Sequence, residues 1–162
     1  MYNITIENIK ITTNTTIEDL EGIKGFSKTV IDNKLIVVSF LPETVKFQGL
    51  DYFVDFYFKN EKISKIDLRP KIEGLNEIVY SNDYEEYLNN KDKYIEKIYA
   101  YNLDLLIKCF GEPKRNYGVD KCISYFDNNF LIVNRIQKDK KGHFDRCIFE
   151  IKNLYADNFF YE

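Results

Sequence analysis

Apolar and polar side chains alternate strictly along residues 51–58, which is the spacing of a β-strand. The set that would face a core is Tyr52, Val54, Phe56 and Phe58. The opposite set is Asp51, Phe53, Asp55 and Tyr57. Because the opposite set includes two carboxylates, the pattern predicts a sheet with one face toward water.

Shorter runs of β-branched and aromatic residues, bounded by polar turns, predict further strands. They lie at residues 4–6, 9–11, 29–31, 35–40, 63–68, 122–126, 130–136 and 144–151. The apolar set changes side between Ile6 and Ile9, so the first pair is either one strand with a bulge or two short pieces. Pro42 ends the strand that follows the hairpin turn at residues 32–34.

Helical spacing is found just before the last three strands. The apolar positions at i, i+3, i+4 and i+7 are Leu103, Leu106, Ile107 and Phe110. Asn102 is predicted to cap the start of this helix, and Gly111 with Pro113 to end it. A longer helix opens at Asn82 or Asp83 and either runs unbroken into this segment or kinks there.

These elements predict an α+β fold in which antiparallel β-meanders pack on helices. Residues 49–58 and 118–127 share a glycine, an aspartate and four apolar positions. This internal echo fits two related helix-plus-meander modules, and it fits equally well a chance similarity in a chain rich in Phe and Tyr. We expect one compact domain over residues 1–162, with residues 1–80 and 81–162 as candidate submodules.

Charge and composition narrow the classes of partner. The net charge of −3 argues against nucleic acid, since binding a phosphate backbone needs a concentrated basic surface, and it favours a basic protein partner. We expect no membrane association, because no apolar run approaches the roughly 18 residues of a membrane span. The first residues lack the features of a signal peptide, and the three cysteines are widely spaced, so we expect a cytoplasmic protein.

Residues 102–113, 122–133 and 149–151, together with Gly142, resemble a module of bacterial polymorphic-toxin immunity proteins. In that module a helix ends in a Leu-Gly-x-Pro-like corner, and the first turn of the following meander comes after an aromatic-Asp pair. The pair here is Phe126 and Asp127. The resemblance covers about a third of the chain. It implies a protein that binds and blocks a cognate toxin, without catalytic residues.

Motifs for catalysis, metal binding and cofactor binding are absent from the sequence. His143 is the only histidine, and its neighbours indicate an exposed strand end rather than a catalytic site. Cys109, Cys122 and Cys147 fall in apolar segments, where a small core residue is expected. The seven glycines form no phosphate-binding loop, and neither CxxC nor HxxxH spacing occurs. We therefore expect no cofactor and no metal.

The combined reading is a non-catalytic inhibitor of a basic toxin domain, present as a monomer or weak dimer. An acidic binder associates rapidly with a basic target and needs only a preformed surface. The candidate contacts are Asp51, Asp55, Tyr57, Glu85 and Glu86. Two alternatives stay open: a small carboxylate-dependent enzyme, and a structural module that self-associates through a sheet edge or through residues 159–161.

Overall fold

The computed structural model describes residues 2–74, 84–118, 121–138 and 145–156, with the side chains of the α-helix described from residue 90 onward. The first half contains β1 (Ile4–Ile6), β2 (Ile9–Ile11), a 3-10 helix (Glu18–Leu20), β3 (Ser27–Val30), β4 (Leu35–Ser39), β5 (Val45–Phe47), β6 (Leu50–Lys59) and β7 (Lys62–Pro70). The second half contains α1 (Tyr84–Phe110), β8 (Arg115–Tyr117), β9 (Cys122–Phe126), β10 (Phe130–Gln137) and β11 (Arg146–Asn153).

All eleven described strands belong to one antiparallel sheet. The main order is β2-β1-β5-β6-β7-β11-β10-β9-β8. The hairpin β3–β4 branches from this path, because β4 pairs with the second half of β6 while β5 pairs with its first half. The α+β class with meander-like strand order is therefore confirmed, and the duplication and the submodules stay predictions.

The alternation of buried and partly exposed residues in β6 defines the two faces of the sheet. Tyr52, Val54, Phe56 and Phe58 are buried, while Asp51, Phe53, Asp55 and Tyr57 are each partly exposed. The buried set joins side chains from the other central strands, such as Ile66 and Ile151, in the main hydrophobic core. We call the core side the inner face and the opposite side the outer face.

Helix α1 lies against the inner face, where it contacts β7, β10 and β11. Leu105 and Leu106 enter the main core, and Ile95 and Tyr99 form a second cluster with Ile136. The helix buries this stripe because its apolar positions recur every three or four residues.

The predicted cap at Asn102 is wrong. The helix runs unbroken through this position, and the Asn102 side chain is completely buried in its middle. Unbroken apolar spacing keeps the chain helical, and the amide finds partners in the sheet rather than at a helix start. Tyr52 donates its hydroxyl hydrogen to Asn102 Oδ1 at 2.8 Å, and Asn102 Nδ2 donates to Asn134 Oδ1 at 3.1 Å.

The same buried network extends to the helix backbone and to a thiol. Asn134 Nδ2 donates to the carbonyl oxygen of Tyr99 at 3.1 Å, and the Cys147 thiol donates to Asn134 Oδ1 with an S–O distance of 3.4 Å. Burial raises the pKa of Cys147 to about 12, so this thiol stays protonated at neutral pH. The core prediction is wrong for Cys109, which is exposed on the helix.

The predicted end of the helix is confirmed. Gly111 has a φ of +81° and donates its N–H to the carbonyl oxygen of Ile107 at 2.9 Å, which is a left-handed helix cap. The Tyr125 hydroxyl then donates to the Gly111 carbonyl at 2.8 Å. Tyr2, just before β1, packs edge to face on both Phe110 and Tyr125 and so covers the helix end.

Asp127 shapes the turn between β9 and β10. Its carboxylate accepts backbone N–H groups of Asn129 and Phe130 at 2.7 and 2.8 Å, and that of Tyr2 at 3.0 Å. Burial alone raises the pKa of Asp127, but these three donors hold it below its usual value. Asp32 forms the same turn between β3 and β4 with Lys34 and Leu35.

Several other sequence predictions can be compared with the described residues. Residues 4–11 form two short strands, as one of the alternatives states. Strands β5 and β8 were not predicted. His143 and the aromatic tail at residues 159–161 lie outside the described residues.

We predict that Asn102→Ala lowers the free energy of unfolding by about 2–4 kcal/mol, because it leaves the Tyr52 hydroxyl buried without its acceptor and removes one of the two donors to Asn134 Oδ1. The exposed helical position Asp104 gives a matched control, and Asp104→Ala should change stability by less than about 0.5 kcal/mol. Urea unfolding followed by circular dichroism measures both. Equal small effects would show that the network does not hold the helix on the sheet.

Candidate functional site

Three carboxylates lie side by side on the outer face, in the three central strands. The strand register sets Asp55 of β6 directly opposite Asp67 of β7, and Asp67 directly opposite Glu150 of β11. We call Asp55, Asp67 and Glu150 the acid row. Like charges in directly opposed positions destabilise a sheet, so the row has an energetic cost in the free protein.

Each carboxylate of the acid row has a cation nearby. Asp67 lies 3.7 Å from Lys65, Asp55 lies 3.8 Å from Arg69, and Glu150 lies 3.5 Å from Lys152. These distances exceed the roughly 2.7–2.9 Å of a close charge-assisted hydrogen bond. Three cations face the three acids of the row, and Arg135 of β10 lies on the same face, so the outer face is not the acidic surface that the sequence predicted.

Electrostatic crowding is greatest at Asp67. Burial raises the pKa of its carboxyl group, and the neighbouring Glu150 and Asp55 charges raise it further, against the opposing effects of Lys65 and the Tyr57 hydroxyl. The pKa of Tyr57 is also raised, first by burial and then by the charges of Asp67 and Asp55. The charged form of Asp67 is thus only partly compensated by groups within the protein.

Aromatic and aliphatic side chains surround the acid row. The ammonium group of Lys65 lies 4.6 Å from the centre of the Tyr57 ring, and the Arg69 guanidinium lies 5.8 Å from that of Phe53. The partly exposed apolar residues farther along the same face are Leu131, Val133, Ile148 and Phe126. Tyr57, Phe53 and Arg69, which border the acid row, are of residue types enriched in protein–protein interfaces.

The structure brings together only part of the predicted site. Asp55 belongs to the acid row and Tyr57 lies beside it. Asp51 lies near the start of β6 and forms an ion pair with Lys46 at 2.8 Å. Glu85 and Glu86 lie in the first turn of α1, and their side chains are outside those that the structure describes.

Asp67 and Glu150 were missed by the sequence reading. Apolar residues alternate with polar ones around both positions, at residues 66–69 and 149–152, and this alternation already indicated that both side chains face away from the core. Glu150 comes beside Asp67 and Asp55 only because β7 pairs with β11. These two strands are about 80 residues apart in the chain, and no local pattern reveals their register.

Two grooves lie on either side of Asn129. The first has a volume of about 210 Å³ and is lined by Tyr2, Lys10, Ile11, Thr12, Thr13, Asn14, Asn129 and Phe130. The second has a volume of about 360 Å³ and is lined by Asp127, Asn128, Asn129 and Tyr155. The first groove is lined by no acid, and the second by one, Asp127, whose pKa is lowered.

The described ranges hold neither a cluster of metal-binding side chains nor a helix able to span a membrane. No three His, Cys, Asp or Glu side chains within them are placed to hold a metal ion. In the same ranges, no helix has both the length and the apolar character that crossing a bilayer requires.

Comparison with known proteins found no relative of this chain. No protein-family model, curated protein or solved structure shows significant similarity to this chain.

We predict that Asp67→Asn leaves the melting temperature at pH 7 unchanged or raises it by about 1–4 °C. The folded-state pKa of Asp67 lies above its unfolded value, so its ionisation costs stability as the pH rises from about 4 through the folded pKa. The variant removes that charge while its amide oxygen can still accept a hydrogen bond from Tyr57.

Thermal unfolding of the parent and Asp67→Asn between pH 4 and pH 7 gives the measurement, with Asp104→Asn as the exposed control. The parent should lose stability relative to Asp67→Asn as the pH rises. A variant that is clearly less stable than the parent at pH 7 would mean that the Lys65 ion pair outweighs the crowding.

Proposed function

We propose that this protein is a non-catalytic immunity protein, which binds a cognate bacterial toxin domain through the outer face of its sheet and masks the toxin's active site. The acid row carries this proposal. Three carboxylates crowded across adjacent strands cost stability, and a partner that supplies cations between them recovers that cost.

The partner is expected to insert an arginine or lysine side chain at the acid row. The intramolecular cations lie 3.5–3.8 Å from the carboxylates, so they can yield to a closer pair. An arginine is favoured, because its planar guanidinium can bond two carboxylate oxygens at once. The same group can pack on an aromatic ring, and Tyr57 lies next to the row.

Two properties of the outer face support a specific contact rather than a general attraction. The acid row and its three cations carry no net charge, so the pattern of acids and cations selects the partner, while the net charge of −3 on the whole chain favours approach of a basic domain. The apolar border supplies area that can exclude water around the central ion pairs. Together they favour a basic toxin domain in the cytoplasm over nucleic acid or a membrane.

Growth rescue tests the proposal. The probe is the C-terminal domain of the protein encoded directly upstream of this chain, expressed in bacteria with or without the chain. We expect the domain alone to stop growth and co-expression of the parent chain to restore it. We expect the double charge reversal Asp55→Lys with Asp67→Lys to weaken binding by about a hundredfold or more and to abolish rescue.

The matched control is a double reversal at exposed acids that lie off the outer face, Glu21→Lys with Asp104→Lys. It changes the net charge by the same amount and should still rescue growth. Affinity measured by titration calorimetry separates binding from expression level. Rescue by the Asp55 and Asp67 reversal, at unchanged affinity, would remove the outer face from the account.

A further inference from the structure

A second group of charged residues lies on the outer face, beside the acid row. Val133 of β10 lies opposite Glu150, and Arg135 is the next residue of β10 on that face. Across β9, Val133 lies opposite Ser124, and Ser124 lies opposite Arg115 of β8. Because directly opposed residues of neighbouring strands project on the same side of a sheet, Arg115 and Arg135 both project from the outer face.

A third arginine completes this group. Ile148 of β11 lies opposite Arg135, and Arg146 comes two residues before Ile148 in the same strand. Arg146 is therefore diagonal to Arg135 on the same face, at a distance of about 7–8 Å. We call Arg115, Arg135 and Arg146 the arginine group. Arg115 and Arg146 are exposed, and Arg135 is partly exposed.

The arginine group differs from the acid row in how its charges are compensated. Among the described residues, none of the three arginines forms an ion pair. The Arg115 guanidinium lies 5.6 Å from the centre of the Phe126 ring, and Arg146 donates a long hydrogen bond of 3.5 Å to Gln137 Oε1. The acid row has a cation beside each carboxylate, whereas the arginine group has no carboxylate of its own.

The outer face is thus divided into two parts of opposite sign. From Asp67 of β7, the sheet leads through Glu150 of β11 to β10, so Arg135 lies two strands away and one residue pair farther along. Strand spacing and the rise of two residues set the Cα atoms of Asp67 and Arg135 about 12 Å apart. Val133 and Ile148, both partly exposed, occupy the space between them.

We propose that the arginine group binds a carboxylate of the same toxin domain whose arginine or lysine enters the acid row. The toxin would then present an acid about 12 Å from that cation. This inference rests on the proposed function. A guanidinium can bond both oxygens of a carboxylate, and Arg135 is the central member of the group, with an arginine on either side.

The two charged parts together fix the orientation of the toxin on the outer face. The acid row alone extends across three strands, and it would accept a cation at several positions and in several directions. With the arginine group on one side, a rotated partner would set like charges against each other. The apolar side chains of Val133 and Ile148 would exclude water between the two contacts.

A protein carboxylate fits the arginine group better than a nucleic-acid backbone does. A strand of phosphates that contacts Arg115, Arg135 and Arg146 would pass close to Glu150, which is diagonal to Arg135. The net charge of −3 on the chain also opposes such a polyanion. A single carboxylate seated at Arg135 meets neither obstacle to the same degree.

Titration calorimetry with the C-terminal domain encoded directly upstream tests the inference. We expect the double reversal Arg115→Glu with Arg135→Glu to weaken binding by about tenfold to a hundredfold. Each reversal makes the chain two charge units more negative, so a general attraction to a basic domain would instead strengthen binding. The matched control is Lys93→Glu with Lys97→Glu, at exposed positions of the helix. It changes the net charge equally and should bind at least as tightly as the parent.

A crosslinking readout does not depend on how well the double reversal folds. Arg135→Lys keeps the positive charge and supplies an amine, which carbodiimide joins to a carboxylate in direct contact. We expect the introduced amine to be joined to an acid of the toxin domain, as identified by mass spectrometry. Lys97, exposed on the helix, should give no such product.

The outcomes separate this inference from the proposed function. If the acid-row reversal weakens binding but the arginine reversal does not, and no crosslink forms at position 135, the inference is overturned and the proposed function stands. If the parent does not bind the toxin domain, both are overturned. Tight binding of a single-stranded DNA oligonucleotide that the arginine reversal abolishes would also overturn the inference, because the group would then serve a phosphate backbone.

Discussion

The buried amide of Asn102 is the interaction on which the rest of the structure depends. It joins the middle of the helix to Tyr52 of β6 and to Asn134 of β10, so one side chain ties together elements from both halves of the chain. A polar group in a fully buried position is costly unless all its bonds are made, and the described residues leave no buried side-chain nitrogen or oxygen without a partner. The network thereby fixes which face of the sheet the helix covers.

Because the helix covers the inner face, the opposite face is left to the charged residues. The strand register then places Asp55, Asp67 and Glu150 side by side, at an electrostatic cost that no packing requirement explains. Costs of this kind concentrate at functional sites, where a ligand or partner compensates for them. The packing of the helix on the inner face and the crowding of acids on the outer face therefore both follow from the way the helix and strands are placed.

The sequence allowed the fold class and most elements to be predicted, since their periods are local. The alternation in β6, the helix end at Gly111 and the two halves of residues 4–11 all follow from neighbouring residues. Asn102 was misread because a polar residue before an apolar stripe is the usual sign of a helix start, and only its distant partners show otherwise. The acid row could not be predicted, because it depends on the pairing of strands that are far apart in the chain.

Carboxyl footprinting of the free chain, and of the chain bound to the toxin domain that we propose as its partner, tests directly whether the outer face is the binding surface. Carbodiimide labelling followed by mass spectrometry reports the accessibility of each acid. We expect labelling of Asp55 and Asp67 to fall severalfold in the complex, while labelling of Asp104 on the helix is unchanged. Protection of Asp104 with unchanged labelling of Asp55 and Asp67 would contradict it.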